Sequence, residues 1–174
     1  MIVQSMSKSL SISVIVCLVF SANVMAACDL QRFKFGTPYE RVQKHFDTGL
    51  EKAPVSIQML FVPGSDVCVG QKVFQGASVI FTFLYNKLVQ IEVNRLSKKS
   101  LLGAWAESVY GVKSNKPTSY FSSEPNAQWH WDKSAAVITY SIETYGAERY
   151  EYIQIQSKRH EELFAKWAEE EESQ

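Results

Sequence analysis

The sequence lacks the residue patterns that usually announce an enzyme or a metal site. It contains no Gly-x-Ser-x-Gly turn for a serine nucleophile and no glycine-rich phosphate loop. Its histidines, His45, His130 and His160, lie far apart, and His160 has no second histidine one helical turn on, as a zinc-binding helix requires. We therefore assign no catalytic residue, no metal ligand and no cofactor, and we interpret His160 as a packing residue.

An excess of positive charge is also missing. The chain holds 18 basic and 18 acidic residues, so losing Lys8 with a leader segment would leave a net charge of −1. Nucleic acids and anionic lipids are both bound through basic surfaces, so neither partner is expected. The chain has no Asn-x-Ser/Thr sequon, which fits a bacterial envelope protein.

One long apolar run is present, and it stands at the start of the chain. Lys8 precedes the apolar run Leu10–Phe20, and small residues follow up to Ala26. This arrangement is typical of a secretory signal peptide, and the run is too short and too rich in serine for a membrane span. We predict a signal peptide over 1–26 and a single periplasmic or secreted domain over 27–174, without a transmembrane segment.

Cysteine is scarce, and its count suggests a single bridge. Cys17 would leave with the signal peptide, so Cys28 and Cys68 remain to form a disulfide in an oxidising compartment. A competing interpretation is that Met25-Ala26-Ala27-Cys28 resembles a lipobox, in which Cys28 carries a lipid anchor. Acylation would leave Cys68 as an unpaired thiol, so we favour the disulfide.

The first predicted helix has a clear start signal. Thr37 is placed as the N-cap, Pro38 as the first helical residue and Glu40 as the third, which together form a capping box. Gly49 marks the expected end of this helix. The prolines that follow predict irregular or edge structure over residues 50–66.

Alternating apolar and polar residues dominate the rest of the chain and predict antiparallel strands. The predicted strands cover 67–74, 77–85, 88–94, 127–132, 135–142 and 148–156. Further helices are expected over 98–110 and from Ser157 onward. The predicted class is α+β with antiparallel meanders, in the order helix–three strands–helix–three strands–helix, as two loosely related halves.

A short segment resembles known envelope modules. The run from Gly36 to Val42 follows an aromatic stretch, Gln31–Phe35, and resembles the opening of SmpA/OmlA-type envelope lipoproteins and of the β-lactamase-inhibitor-protein fold. In those families a Gly-Met-Thr-x-x-x-Val motif leads into a helix, whereas this chain has Thr37 and Pro38 after the glycine. The resemblance implies a non-catalytic binding module in the envelope.

Aromatic residues crowd the last three predicted strands. Such rings can anchor a protein partner or stack on a sugar. The candidate binding residues are Tyr150, Tyr152, Tyr145 and Trp129. The competing interpretation, which we favour for Trp129 and Trp131, is that these two rings and some tyrosines pack beneath the final helix against Phe164 and Trp167. If all these rings are core, the loop 112–126 is the next candidate.

Three functions follow from these observations. The first is an exported, non-enzymatic binding protein, for example of inhibitor or immunity type, that recognises a protein or an envelope component. The second is a small envelope hydrolase whose carboxylates meet only in space. Its candidate residues are Asp132, Glu143, Glu148 and Glu151. The third is a lipid-anchored structural component of the envelope.

Overall fold

A sheet of six antiparallel strands organises the described part of the chain. The structure is a computed structural model and describes residues 28, 30–46, 56–96, 101–111 and 127–173. The strands are β1 (Ile57–Pro63), β2 (Ala77–Leu84), β3 (Lys87–Leu96), β4 (Ala127–Asp132), β5 (Ala136–Tyr145) and β6 (Glu148–Ser157). The helices are α1 (Tyr39–Gln43), α2 (Gly64–Val67), α3 (Leu101–Tyr110) and α4 (Glu161–Glu172). Short 3₁₀ turns cover Leu30–Arg32, Lys72–Phe74 and Lys158–His160.

Two three-stranded meanders meet at the centre of this sheet. The strand order is β1-β2-β3-β6-β5-β4, and every neighbouring pair is antiparallel. The join between the meanders is the β3–β6 pair, in which Val93 stands opposite Ile153. The predicted α+β class and antiparallel meanders are therefore confirmed. The predicted element order is matched only in part.

The first meander begins earlier than the sequence pattern predicts. Ile57–Pro63, from the segment expected to be irregular or edge structure, forms strand β1 at the edge of the sheet. The predicted strand 67–74 is wrong, because helix α2 and the turn Lys72–Phe74 occupy this region. Phe74 is fully buried all the same. A tight turn can bury a single apolar side chain as a strand does. The apolar residues of this segment therefore suggested a strand where the chain forms a turn.

The core of the first meander is built from stacked aromatic rings. Phe33 packs edge-on against Phe81, with ring centroids 4.9 Å apart. Tyr39 of α1 packs against Phe83 at 5.1 Å. Because Phe81 and Phe83 alternate along β2, both rings point to the same face of the sheet. That face therefore carries α1 and the segment before it.

Helix α3 covers the same face of the second meander. Its Gly103 lies so close to Tyr140 that an added Cβ would stand 2.8 Å from the tyrosine ring. Trp105 of α3 packs edge-on against Phe74 at 5.0 Å, and Trp131 is 1% exposed. The prediction that Trp131 is a core residue is confirmed. The expectation that the final helix covers it is wrong, since α3 is the helix that packs on β5 and β6.

Helix α4 lies instead at the end of the sheet where β2 turns into β3. It contacts β2, and its Lys166 Nζ stands 4.0 Å from the centroid of the Tyr85 ring. Leu84 and Val89, on the two sides of this turn, are buried but do not belong to the continuous core. Helix α4 therefore closes this end of the sheet.

The predicted disulfide is present. Cys28 and Cys68 are bonded, with their Cα atoms 5.6 Å apart. The Arg32 guanidinium donates a hydrogen bond to the Val67 carbonyl next to the bridge. The start of the described chain is therefore tied to the segment that follows α2.

Helix α1 is capped from elsewhere in the chain, which corrects the predicted capping box. Pro38, not Thr37, stands at the N-cap position, and the Thr37 hydroxyl donates backwards to the Lys34 carbonyl at 2.6 Å. The Tyr39 N–H instead donates to Asn86 Oδ1 at 2.8 Å. The cap thus comes from the β2–β3 turn, at a distance that local sequence patterns do not reveal.

Some predictions fall outside the described residues. They are the signal peptide over 1–26, the helix end at Gly49 and the loop 112–126. Each of them stays a prediction.

Candidate binding site on the open face

Three of the four predicted binding residues come together on one face of the second meander. Tyr150 and Tyr152 lie on β6, and Tyr145 ends β5. In the β5–β6 register, Tyr150 stands opposite Glu143 and Tyr145 opposite Glu148. Side chains at alternate positions share a face, so these five residues lie on the side of the sheet opposite to the core. We call the surface formed by Glu143, Tyr145, Glu148, Tyr150 and Tyr152 the open face.

The tyrosine rings form a connected row. Tyr145 and Tyr150 meet edge to face with centroids 5.8 Å apart, and Tyr150 and Tyr152 lie nearly parallel at 6.4 Å. Tyr145 is 62% exposed. Leu96 of β3, opposite Tyr150 in the register, is 54% exposed and extends the row with an apolar side chain. Local sequence patterns do not single out Leu96, because only the long-range β3–β6 pairing brings it beside Tyr150.

Two of the three tyrosines, Tyr145 and Tyr150, are each held by a carboxylate of their own strand. The Tyr145 hydroxyl donates to Glu143 Oε2 at 2.6 Å, and the Tyr150 hydroxyl donates to Glu148 Oε2 at 2.6 Å. Both contacts join residues two positions apart, which a strand places on the same side. The rings are therefore oriented before any partner arrives.

The pKa values of the three tyrosine hydroxyls are all raised by their surroundings. The hydrogen bond to Glu143 raises the pKa of Tyr145, and the hydrogen bond to Glu148 raises the pKa of Tyr150. Loss of hydration raises the pKa of Tyr152, and the charges of Glu143 and Glu92 add to that shift. Nearby negative charge also disfavours ionisation of a phenol, so the surroundings of all three rings favour the neutral hydroxyl.

Trp129 does not join these tyrosines. Its ring stacks on Tyr140 with centroids 5.1 Å apart, and it packs against the core side of the sheet. Alternation along β4 puts Trp129 and Trp131 on this same side, as the sequence predicts. The structure therefore separates Trp129 from the other three candidates by the full thickness of the sheet.

The four candidate carboxylates for hydrolysis are spread over different environments. Glu151 is fully buried on the core side, where it accepts hydrogen bonds from the Tyr140 hydroxyl at 2.7 Å and from the Leu102 N–H at 3.4 Å. Asp132 forms an ion pair with Lys158. Glu143 and Glu148 lie on the open face, whereas Asp132 stands opposite Val137 at the other end of β5, so the set does not converge on one point.

A separate cavity of about 290 Å³ lies near the end of β6. Its wall includes Phe33, Ser157 and His160, and Ser157 Oγ lies 2.9 Å from His160 Nδ1. Burial lowers the pKa of His160, and the opposing effect of Glu162 is smaller. Ser157 is buried, so its contact with the histidine anchors the Lys158–His160 turn. The packing role predicted for His160 fits this position, although the residue precedes α4 rather than lying on it.

Comparisons with protein-family models, with curated proteins and with solved structures find no match for this chain. Within the described ranges, no helix combines the length and apolar character that a bilayer crossing requires. In the same residues, no three or more His, Cys, Asp or Glu side chains are grouped so that they could hold a metal ion.

Proposed function

We propose that this protein is an exported, non-enzymatic binding protein that recognises another protein through its open face. The observation that carries the proposal is the connected row of Tyr145, Tyr150 and Tyr152 on the side of the sheet away from the core. Inhibitor-type or immunity-type binding is the kind of activity that such a surface serves.

Tyrosine suits a protein interface for physical reasons. Each ring offers a large rigid contact area with few rotatable bonds, and its hydroxyl can hydrogen-bond at the rim. Here the ring contacts and the bonds to Glu143 and Glu148 hold two of the rings in place already. A partner therefore has less side-chain entropy to remove when it binds.

Two features support export. The first residues of the chain have the pattern of a secretory signal peptide, and the Cys28–Cys68 bond is of the kind that persists in oxidising compartments.

The proposal is tested with the double variant Tyr150→Ala/Tyr152→Ala. The partner is first captured from the envelope of the source cells, identified and purified, and its affinity for each variant is then measured by calorimetry. We expect at least about tenfold weaker binding, since loss of two central aromatic anchors typically costs more than 1.4 kcal/mol. The melting temperature should change little, because both side chains lie outside the core.

Phe61→Ala is the matched control. Phe61 is a 61% exposed aromatic residue on β1 at the far edge of the same sheet, so its loss should leave the affinity unchanged. If the double variant fails to fold, Tyr145→Ala replaces it, because Tyr145 is the most exposed of the three rings. Unchanged affinity in the tyrosine variants would overturn the proposal.

A further inference from the structure

The open face is acidic as well as aromatic. Glu143 and Glu148 lie among the tyrosines, and Glu92 lies on the same side of neighbouring β3, opposite Gln154 in the register. The alternate positions that face this side are residues 90–96 of β3, 137–145 of β5 and 148–156 of β6. None of them holds lysine or arginine. Within these described strands the carboxylates therefore have no cationic partner on their own surface.

The chain itself shows how such groups recognise a cation. Lys166 Nζ stands 4.0 Å from the centroid of Tyr85, and the Arg32 guanidinium carbon stands 4.8 Å from the centroid of Phe33. A cation over an aromatic ring is attracted by the negative face of the ring, and a nearby carboxylate adds a charge-assisted hydrogen bond. The open face presents aromatic rings and carboxylates together, and no lysine or arginine of β3, β5 or β6 lies among them on that side.

We infer that the open face binds a basic segment of the partner protein, with arginine or lysine side chains seated over the tyrosine row and bonded to Glu143 and Glu148. This inference rests on the proposed function above. The tyrosine hydroxyls now occupy one oxygen of each carboxylate, so the remaining oxygens accept from the incoming cation.

Charge argues against the other occupants of this surface. Nucleic acids and anionic lipids would meet carboxylates of their own sign. A second copy of the chain, docked by the same patch in a two-fold dimer, would bring two acidic surfaces together. A basic polypeptide is the macromolecule whose charge complements the face.

The experiment is a nuclear magnetic resonance titration of the ¹⁵N-labelled protein recovered from the periplasm after expression of the full chain. The probes are three synthetic peptides in which glycine alternates with arginine, with lysine or with glutamate. The arginine and lysine peptides should shift amide signals of β5 and β6 around Tyr145 and Tyr150, and the glutamate peptide should shift none. High salt should weaken the effect, since exposed charges are screened.

The decisive variant is Glu143→Gln/Glu148→Gln, which keeps size and hydrogen bonding but removes two charges. We expect about tenfold weaker binding of the arginine peptide. Glu171→Gln/Glu172→Gln on α4 is the matched control, because it changes the net charge equally at exposed positions elsewhere. If both double variants weaken binding equally, or if shifts do not map to the open face, the inference is overturned.

The natural partner separates this inference from the proposed function. If Tyr150→Ala/Tyr152→Ala abolishes partner binding while Glu143→Gln/Glu148→Gln and high salt do not affect it, the face docks an uncharged surface. The basic-segment inference then fails and the proposed function stands. If the tyrosine variant also binds normally, both fail.

Discussion

The two meanders of the sheet share a topology but use their second face differently. In the first, Leu84 and Val89 are buried at the end closed by α4, and the exposed apolar residues of this face are Met59 and Phe61 on the edge strand β1 and Leu96 on β3, beside Tyr150. In the second, the corresponding face carries tyrosines bonded to carboxylates. Exposed aromatic residues are present in both meanders, so aromatic area alone does not distinguish the proposed binding surface. Polar tips and charge distinguish the open face from the β1 edge.

The cores under the two meanders differ as well. The first is made of ring contacts such as Phe33–Phe81 and Tyr39–Phe83. The second contains a buried carboxylate, Glu151, that links Tyr140 to the first turn of α3. The N–H groups of a first helical turn lack partners within the helix, so Glu151 satisfies one of them from inside the sheet.

The largest expected effect comes from removing the Cys28–Cys68 disulfide next to the first meander. Cys28→Ser/Cys68→Ser opens a loop whose ends are 40 residues apart. In the chain-entropy account the free energy of unfolding should fall by about 4 kcal/mol. Denaturant titration measures this fall, and dithiothreitol treatment of the unaltered protein should reproduce it.

A fall below about 1 kcal/mol would show that packing alone holds the N-terminal segment. Intact mass of the same protein from the periplasm checks the predicted start at Ala27. A diacylglycerol adduct on Cys28 would instead support the lipid anchor.

Replacing one tyrosine by phenylalanine on each face of the second meander compares the stability contributed by the core side with that contributed by the open face. Tyr140→Phe removes the hydroxyl that donates to buried Glu151, so the free energy of unfolding should fall by about 2 kcal/mol. Tyr152→Phe on the open face should change it by less than about 0.5 kcal/mol, as expected for a surface position. Equal effects of the two variants, measured by chemical denaturation, would contradict the assignment of core and open face.

A smaller loss than that of Tyr140→Phe is expected at the cap of α1. Asn86→Gly keeps a residue that accepts the φ of 60° at this turn but removes the oxygen that caps Tyr39 N–H. The cost should be about 1 kcal/mol. Thr37→Ala is the comparison variant, and it should cost less because its hydroxyl donates to a carbonyl at an exposed site. A larger loss for Thr37→Ala in thermal unfolding would restore the local capping box.

Local alternation predicted most strands of the sheet because it is written in neighbouring residues. Strands β2 to β6 appear close to their predicted positions, and the shared face of Tyr150 and Tyr152 follows from the same period of two. Strand β1 was not predicted as a defined element, since Pro54 precedes it, Pro63 is its last residue, and proline is usually a sign of a break. The predicted strand 67–74 was wrong for a different reason, because helix α2 and the turn Lys72–Phe74 bury Val67 and Phe74 without a strand.

Local residue patterns were enough to predict that Cys28 pairs with Cys68 and that the strands have two unlike faces. These patterns did not reveal that α3 rather than α4 covers Trp131, that Asn86 caps α1, or that Leu96 stands beside Tyr150. The physical reason is the sequence separation between the residues that interact. Alternation is a property of adjacent residues, whereas helix docking and strand pairing depend on contacts between segments far apart in the chain.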